Sequence, residues 1–594
     1  MVLSLLMQIA NESGLEWAHP NAPWWREWPE QWKRAEIVPI WKRKGNRQDP
    51  LFYRPISMLS AIARLVERVL AEKLKTHIRD NKILPEFQHG FRVHHSTETA
   101  IIQLVDKVAS EMSEGKHVLV ASLDLAGAFD TLDREVLVRK LETTCGIAGA
   151  AKELIQDYLK GRTQRVRKSE ERGNWKENPW GVPQGSVLGP MLFSLYCADI
   201  AEALPGVFIC QYADDVTVVV ASDTAAAAVS EMNRALEGFG AFATGNRLAA
   251  EPSKTQIMHC TTQRAAEKHS ITCTMDGKEI VPTETIKALG VVIDNKLTWE
   301  AHNAAAAGKA SGIARAVARA TKYLIASDKA SLIQALAHPH LEYCQTALAE
   351  PSGVASSSIS KAYNRTARIA AREARSEPAR KRLGWLEWEE RRAAASEVMA
   401  AKVWNKSEPA CLRKLLPEQD RRQTGISRAD KRGEIDYQCP RTKVGKKAFR
   451  SWAPEAWNRV CLRVKTREQR KRGEIEPEQQ KRQRGRAPAD SDSTERKGYY
   501  AYLEKKYEET KGLWNDDKRR IIWTDGSAIP DETGVMWAGA GVFYGVGSSK
   551  NRAIGVTGQQ TNQRAEATAV LHCLETEEGR MHIKTDSKYV QLGV

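Results

Sequence analysis

Two apolar, β-prone runs, Val207–Tyr212 and Val216–Ala221, flank the pair Asp214-Asp215. This pattern predicts a hairpin with two carboxylates at its tip. Adjacent like charges repel strongly unless a cation lies between them, so the segment limits fold and chemistry together. A third run, Val118–Leu123, predicts a strand that ends on Asp124, and between them lies the Gly-rich decapeptide Gly181–Pro190. Each piece alone is common in ordinary proteins. Together they place acids from separate segments where they could converge on two Mg2+ ions about 4 Å apart, as metal-assisted phosphoryl transfer requires.

Around these pieces the pattern alternates between helix and strand. Glu36–Ile40 reads as a short strand, followed by the basic turn Lys42-Arg43-Lys44-Gly45. Ile56–Lys75 has helical spacing, with Ser57 or Ser60 as its cap. Residues 97–115, Leu132–Leu141 and Thr224–Asn246 are helical by pattern, and Lys287–Ile293 is a further strand. From Ala301 to Asn405 the chain is Ala- and Arg-rich with helical periodicity. Residues 463–497 hold many charges and few apolar groups and read as a solvated linker. Beyond them Ile521–Thr524, Ala538–Phe543 and His582–Thr585 read as strands of a second α/β unit.

A chain of 594 residues has room for about three or four structural units. With 42% apolar and 28% charged residues, disorder is excluded as the dominant state. The net charge of +16 suggests a polyanionic partner, nucleic acid first. None of the ten Cys forms a CxxC pair, and no His pair stands near them at zinc-ligand spacing, so a structural zinc site has little support. Scattered Cys fit reduced intracellular thiols. No run approaches the roughly 18 apolar residues that span a bilayer, so no membrane is expected. The apolar Met1–Ala10 lacks the basic flank and cleavage site of a secretory signal and reads as a buried helix.

The three pieces, in this order, resemble the palm motifs of reverse transcriptases, and Gly181–Pro190 is close to those of the non-LTR, LINE-type retrotransposon enzymes. Other segments agree over roughly residues 30–360. Trp32-Lys33, Pro39-Ile40 and Tyr53-Arg54-Pro55-Ile56-Ser57 resemble the family's fingers, and Gln88–Arg92 with Ser96-Thr97 its next block. Pro252–Thr255 and Leu289-Gly290-Val291 with Asp294 and Trp299 resemble later blocks. The resemblance implies that Asp124, Asp214 and Asp215 hold Mg2+ or Mn2+, and that Phe129 excludes a ribose 2′-OH. Gln184 and Gly185 would line the nucleotide pocket, Arg54 and Arg92 would touch the triphosphate, and Lys254 would protonate the leaving pyrophosphate.

Near the C-terminus stand Trp523–Ser527, Thr561–Ala567 and Thr585–Ser587. They resemble type 1 ribonuclease H, in which Asp525, Glu566 and Asp586 would hold the metals and Asn562 would contact the RNA strand of a hybrid. The chain stops at Val594, short of the family's further helix and fourth acid, so this unit is expected to be C-terminally incomplete.

The resemblance therefore implies an α+β right-hand polymerase with fingers, palm and helical thumb, then a basic linker and a partial α/β ribonuclease H-like unit. The expected boundaries are 1–300 for fingers and palm, 301–460 for the thumb and connection, 461–517 for the linker and 518–594 for the ribonuclease H-like unit. The implied partners are an RNA template, a DNA primer or target, an RNA–DNA hybrid and dNTPs. The basic stretch Arg365–Arg382 would follow the phosphate backbone. An endonuclease would come from a missing segment or in trans, and priming would use nicked target DNA. Chromosomal DNA as target implies the nucleus, with the cytoplasm the alternative; Arg470-Lys471-Arg472 with Lys481-Arg482 is a weak import signal. The competing reading is a nucleic-acid-binding relic without catalysis, and a telomerase or an intron maturase is weaker still.

Overall fold

The computed structural model describes residues 27–43, 45–263, 271–321, 323–406, 408–417, 435, 437 and 440–471, and four strands beyond residue 519. Met1–Ala10 and most of the expected linker lie outside the described residues. The chain divides into two compact units at Ala501/Tyr502.

The first unit opens with β1 (Arg34–Trp41), β2 (Tyr53–Met58), α1 (Ala61–Asp80), α2 (Thr97–Ser113) and β3 (His117–Leu123). It continues through α3 (Arg134–Thr143), β4 (Thr163–Lys168), α4 (Gly189–Tyr196), β5 (Phe208–Tyr212), β6 (Asp215–Ser222), α5 (Ala225–Gly245) and β7 (Gln256–Cys260). The hairpin β8 (Thr285–Ala288) and β9 (Val291–Asp294) follows, then the helices α6 (Glu300–Ala320), α7 (Gly353–Ala371), α8 (Trp388–Lys406) and α9 (Phe449–Lys471), with shorter elements between.

A four-stranded antiparallel sheet, in the order β7-β3-β6-β5, is the centre of the unit. The β3 sequence HVLVASL is apolar on both sides of the pleat and buried along nearly its whole length. Such a strand needs cover on both faces. On one face Leu119, Ala121 and Leu123 join Leu137, Leu192, Phe193, Val218 and Phe239 in one core. α2 also packs against β3 and β5. Its start is fixed by a capping box in which Ser96 Oγ accepts from Thr99 N and Thr99 Oγ1 accepts from Ser96 N.

A second sheet pairs β2 with β1 in antiparallel register and β1 with β4 in parallel. Here the sequence expectation needs correction. The helix expected from Ile56 starts only at Ala61, because Tyr53–Met58 pairs along β1 as a strand. The residue before a proline disfavours the α region, so Arg54-Pro55 suits a strand. The single strand expected at Lys287–Ile293 is two strands, β8 and β9, turned at Leu289 and Gly290 with φ +47° and +84°. Positive φ at both central residues is the geometry of a tight hairpin turn.

The Ala- and Arg-rich stretch is helical as its periodicity predicts. Ala306, Ala310 and Ala314 on α6 pack with Ala362, Ala367 and Ala370 on α7, and small side chains let the two helices approach closely. Trp385 and Trp388 fill the same core. The last described helix of this unit runs on to Lys471, beyond the expected thumb boundary, because Trp457, Val460 and Cys461 are buried. All eight described cysteines are buried free thiols. No helix among the described residues is long and apolar enough to cross a membrane.

The second unit is described as four strands: β10 (Arg520–Pro530), β11 (Met536–Phe543), β12 (Arg552–Gly555) and β13 (Met581–Thr585), in the order β12-β11-β10-β13. β10 and β13 are parallel and the other pairs antiparallel.

Candidate active site

The sheet register assembles the acids. Leu123, at the end of β3, pairs with Val216 of β6, while Tyr212 and Asp215 pair across the β5–β6 turn. Asp124, Asp214 and Asp215 therefore stand together at one end of the central sheet. The turn itself is only Ala213-Asp214, with Ala213 at φ +58°. That region is uncommon for a residue with a side chain and persists where neighbours enforce it.

Those neighbours are in the block Phe87–Gly90, which lies parallel to β5. His89 N donates to Gln211 O and Gln211 N to Phe87 O, both at 2.8 Å. The buried Gln88 accepts at Oε1 from Ala213 N at 3.2 Å and from Gly90 N at 2.7 Å. Gly90 has no room for more: a Cβ there would lie 2.5 Å from Ala213 N.

The electrostatics match the crowding. Burial and the Asp124 charge push the Asp214 carboxyl up, against the pull of its own backbone hydrogen bond and of Arg54. Asp215 is pushed up to about 6 by its partial loss of water and by the Asp214 and Asp124 charges. Lys254 Nζ donates to Asp124 Oδ2 at 3.1 Å. Arg54 is an exposed residue of β2 whose charge is felt at Asp214.

The Gly-rich segment is locked to this arrangement from two sides. Val182 N donates to Phe129 O at 2.9 Å and Gly181 N to Leu132 O at 2.8 Å. Gly181 sits at φ +67°, and a Cβ there would lie 2.5 Å from Phe129 O. The half-buried Phe129 stacks on Phe193 with centroids 4.6 Å apart. On the other side Ser57 N donates to Gln184 O at 2.7 Å, and Gly185 lies against Ser57. The buried Glu67 of α1 accepts from Val187 N at 2.6 Å and Leu188 N at 3.1 Å. Gln184 lines a cavity of about 670 Å³ with Ser57, Asp130, Arg165, Trp180 and Pro183, and none of the three aspartates reaches its wall. Its Oε1 is buried without a hydrogen-bond partner.

Not every expected residue joins the acids. Arg92 donates from Nη1 to Pro85 O at 2.7 Å; burial draws its guanidinium below the usual value, against the opposing pull of Cys411, Glu86 and Glu408. It braces its own loop. Within Arg365–Arg382, Arg380 is buried and bound to Asn364 and Glu387, so it is not part of an open basic face. Asp525 lies on β10 next to Thr524, which is the register partner of Thr585 on β13. Asn562, Glu566 and Asp586 lie outside the described residues. The positional roles of Gln88, Gly90 and Glu67 were not among the expectations; Gln88 and Gly90 fall inside a block whose likeness to the family was visible without its purpose.

Residues 42–293 match the family described as reverse transcriptase (RNA-dependent DNA polymerase), and residues 517–594 match RNase H. The RNA-directed DNA polymerase from mobile element jockey of Drosophila melanogaster is 29% identical over 284 residues, 46% of this chain and 30% of that protein. Residues 42–293 are thus similar to reverse transcriptases, among them those of non-LTR retrotransposons, and residues 517–594 to RNase H. A second relative, the retrovirus-related Pol polyprotein from type-1 retrotransposable element R1 of Bradysia coprophila, is 27% identical over 48% of this chain and 28% of its own length. The chain thus spans less than a third of these relatives. Among solved structures, apo telomerase from Candida tropicalis aligns at a TM-score of 0.34 and 10% identity, over 61% of this chain and 62% of that one. The reverse transcriptase match covers Arg54, Arg92, Asp124, Phe129, Gln184, Gly185, Asp214, Asp215 and Lys254.

Proposed function

We propose that the chain works as the RNA-directed DNA polymerase of a non-LTR retrotransposon, with an attached ribonuclease for RNA–DNA hybrids. In this reading the central sheet is the palm, the β1-β2-β4 sheet belongs to the fingers, and the helices from α6 onward form the thumb and connection. The observation that carries it is the convergence of Asp124, Asp214 and Asp215 at one sheet end by strand register.

The donor set suits Mg2+ or Mn2+: three carboxylates offer hard oxygen ligands, and the raised Asp214 and Asp215 mark a local excess of negative charge that a divalent cation would relieve. When bound, the metal ions supply Lewis-acid stabilisation of the attacking 3′-oxygen and the leaving oxygen. The chain's own residues do the rest. Phe129, pinned through its carbonyl to Val182, presents a ring edge against a 2′-OH. Gln184 and Gly185, held to Ser57, form the nucleotide's floor. Arg54 supplies positive charge for the triphosphate. Lys254 holds a proton within reach of Asp124 for the leaving pyrophosphate. In the second unit Asp525, Glu566 and Asp586 would serve hybrid cleavage, with Asn562 on the RNA strand. The exposed Arg365 and Arg368 of α7 would track phosphates. The polymerase would extend nicked target DNA along element RNA in the nucleus, with the nick made elsewhere.

The test is dNTP incorporation on a primed RNA template with Mg2+, for the chain and for Asp214→Ala. Incorporation by the first and not the second is expected. No incorporation by a demonstrably folded chain would favour the nucleic-acid-binding relic.

A further inference from the structure

Two histidines six residues apart and a cysteine more than 300 residues further on meet behind the acidic hairpin. Among the described residues, His89, His95 and Cys411 are the one group of at least three potential metal-ligating side chains whose donor atoms all lie within 4.8 Å of one another. His89 and Cys411 are buried, and His95 is partly so. We propose that this is a structural metal site, for Zn2+, separate from the acidic centre.

The donor set suits that ion. Two imidazoles and one thiolate are borderline-soft ligands, which favour Zn2+ over Mg2+ or Ca2+. Zn–N bonds of about 2.0–2.1 Å and Zn–S bonds of about 2.3 Å set tetrahedral donors roughly 3.3–3.6 Å apart. The three donors, within 4.8 Å of one another, would have to close to that range around the ion, leaving a fourth position for water.

The surroundings are those of ligating histidines. A metal-bound His usually donates its other ring N–H to an oxygen acceptor, which fixes the ring and the tautomer. His95 Nδ1 lies 2.8 Å from Val93 O, so it donates there and leaves Nε2 with the lone pair. His89 Nε2 lies 2.7 Å from Gln103 Oε1, its outer acceptor, and Nδ1 lies 2.9 Å from Thr99 Oγ1, a partner it would exchange for the ion. Burial pushes the Cys411 thiol up to about 11, with Arg92 pulling weakly the other way, so the thiol carries its proton until a metal displaces it. Binding would release one proton, from Cys411 Sγ to solvent.

The placement gives the site a purpose. His89 follows Gln88, the residue that holds Ala213 N in the Asp214 turn. Cys411 comes from the short helix after α8. A metal there would fasten the segment after the thumb helices to the loop that supports the catalytic turn, a tie of more than 300 residues in sequence closed by one ion.

The experiment uses the full chain, stripped with EDTA and then loaded with Zn2+ or Co2+. Metal content is measured on folded protein, checked by circular dichroism. The chain should hold about one Zn2+ more than Cys411→Ala or His95→Gln, and Cys210→Ala, which removes a buried thiol outside the cluster, should match the parent. Gln103→Leu should weaken Zn2+ binding by about 10–100-fold. The Co2+ form should show thiolate-to-metal charge transfer that Cys411→Ala loses. Should the variants fail to fold, alkylation in mild denaturant mapped by mass spectrometry decides on the unaltered chain: Zn2+ should slow labelling of Cys411 more than that of Cys273, a buried thiol on a separate hairpin. Equal Zn2+ content in the chain and His95→Gln, or labelling of Cys411 indifferent to Zn2+, would overturn the proposal.

Discussion

Gly90→Ala is the smallest change that should disable the polymerase without touching an acid. A Cβ at position 90 would lie 2.5 Å from Ala213 N and 3.2 Å from its Cα. Ordinary separation needs about 0.9 Å more. Neither side yields easily. Gly90 N and Ala213 N share the side-chain Oε1 of buried Gln88, and Phe87–His89 is bonded along β5. The turn must therefore move, carrying Asp214 with it. Overpacking of this kind costs about 1–3 kcal/mol, and a shift near 1 Å of a reacting group costs roughly 100-fold in rate. Single-turnover dNTP incorporation on a primed RNA template should fall by about that factor, with a thermal midpoint lowered by a few degrees. Gly115→Ala is the control. It adds a Cβ at φ +84° where nothing lies within 4 Å, so it should lower stability by about 1 kcal/mol and leave the single-turnover rate near the parent's. If Gly90→Ala incorporates dNTPs within threefold of the parent, the claim that Gln88 and Gly90 set the acidic turn is wrong.

Further outcomes follow from the same contacts. Glu67→Ala leaves the amides of Val187 and Leu188 without their acceptor and should cost about 1–3 kcal/mol in a denaturant titration; Glu67→Gln, which keeps one acceptor oxygen, should cost less. Asp215 is held above its ordinary value, so in divalent-free buffer its ionised form weighs against the fold at all pH values above about 6, and the penalty fades as pH falls towards the unfolded value near 4. Asp215→Asn should accordingly raise the thermal midpoint of metal-free protein at pH 7.5, by an amount that shrinks at pH 4.5, while abolishing incorporation; a midpoint unchanged at both pH values would contradict the crowding of the three carboxylates. Lys254→Met should lower the single-turnover rate by about 100- to 10,000-fold, the range of lost acid catalysis, with dNTP affinity nearly unchanged. Loss of affinity with an intact rate would make it a binding group instead.

What the sequence disclosed and what it hid divide along one physical line. The acidic hairpin was legible because its information is local: two β-prone runs, a short turn and a strand ending on Asp124 specify a register that leaves few other places for the carboxylates to go. The same holds for the Ala stripe of α6 and α7, where periodicity alone selects the buried face. Local pattern misled at Tyr53–Met58, whose apolar spacing also suits a helix; pairing with β1 outweighs propensity there, and only the tertiary partner decides. It was silent wherever a role depends on two segments meeting. Nothing in the residues Gln88 and Gly90 announces that one amide of a turn more than 120 positions away rests on them. Cysteine spacing weighs only neighbours in sequence, whereas Cys411 meets His89 and His95 only after the segment beyond α8 folds back on the loop before α2. Buried Glu67 is the intermediate case: a lone acid on the inner face of α1 conflicts with the helix's own pattern, and such a conflict is itself a signal. It marks a side chain whose partners lie elsewhere, here the two amides that open the Gly-rich segment's helix, and it says that α1 and the Gly-rich segment are built as one piece.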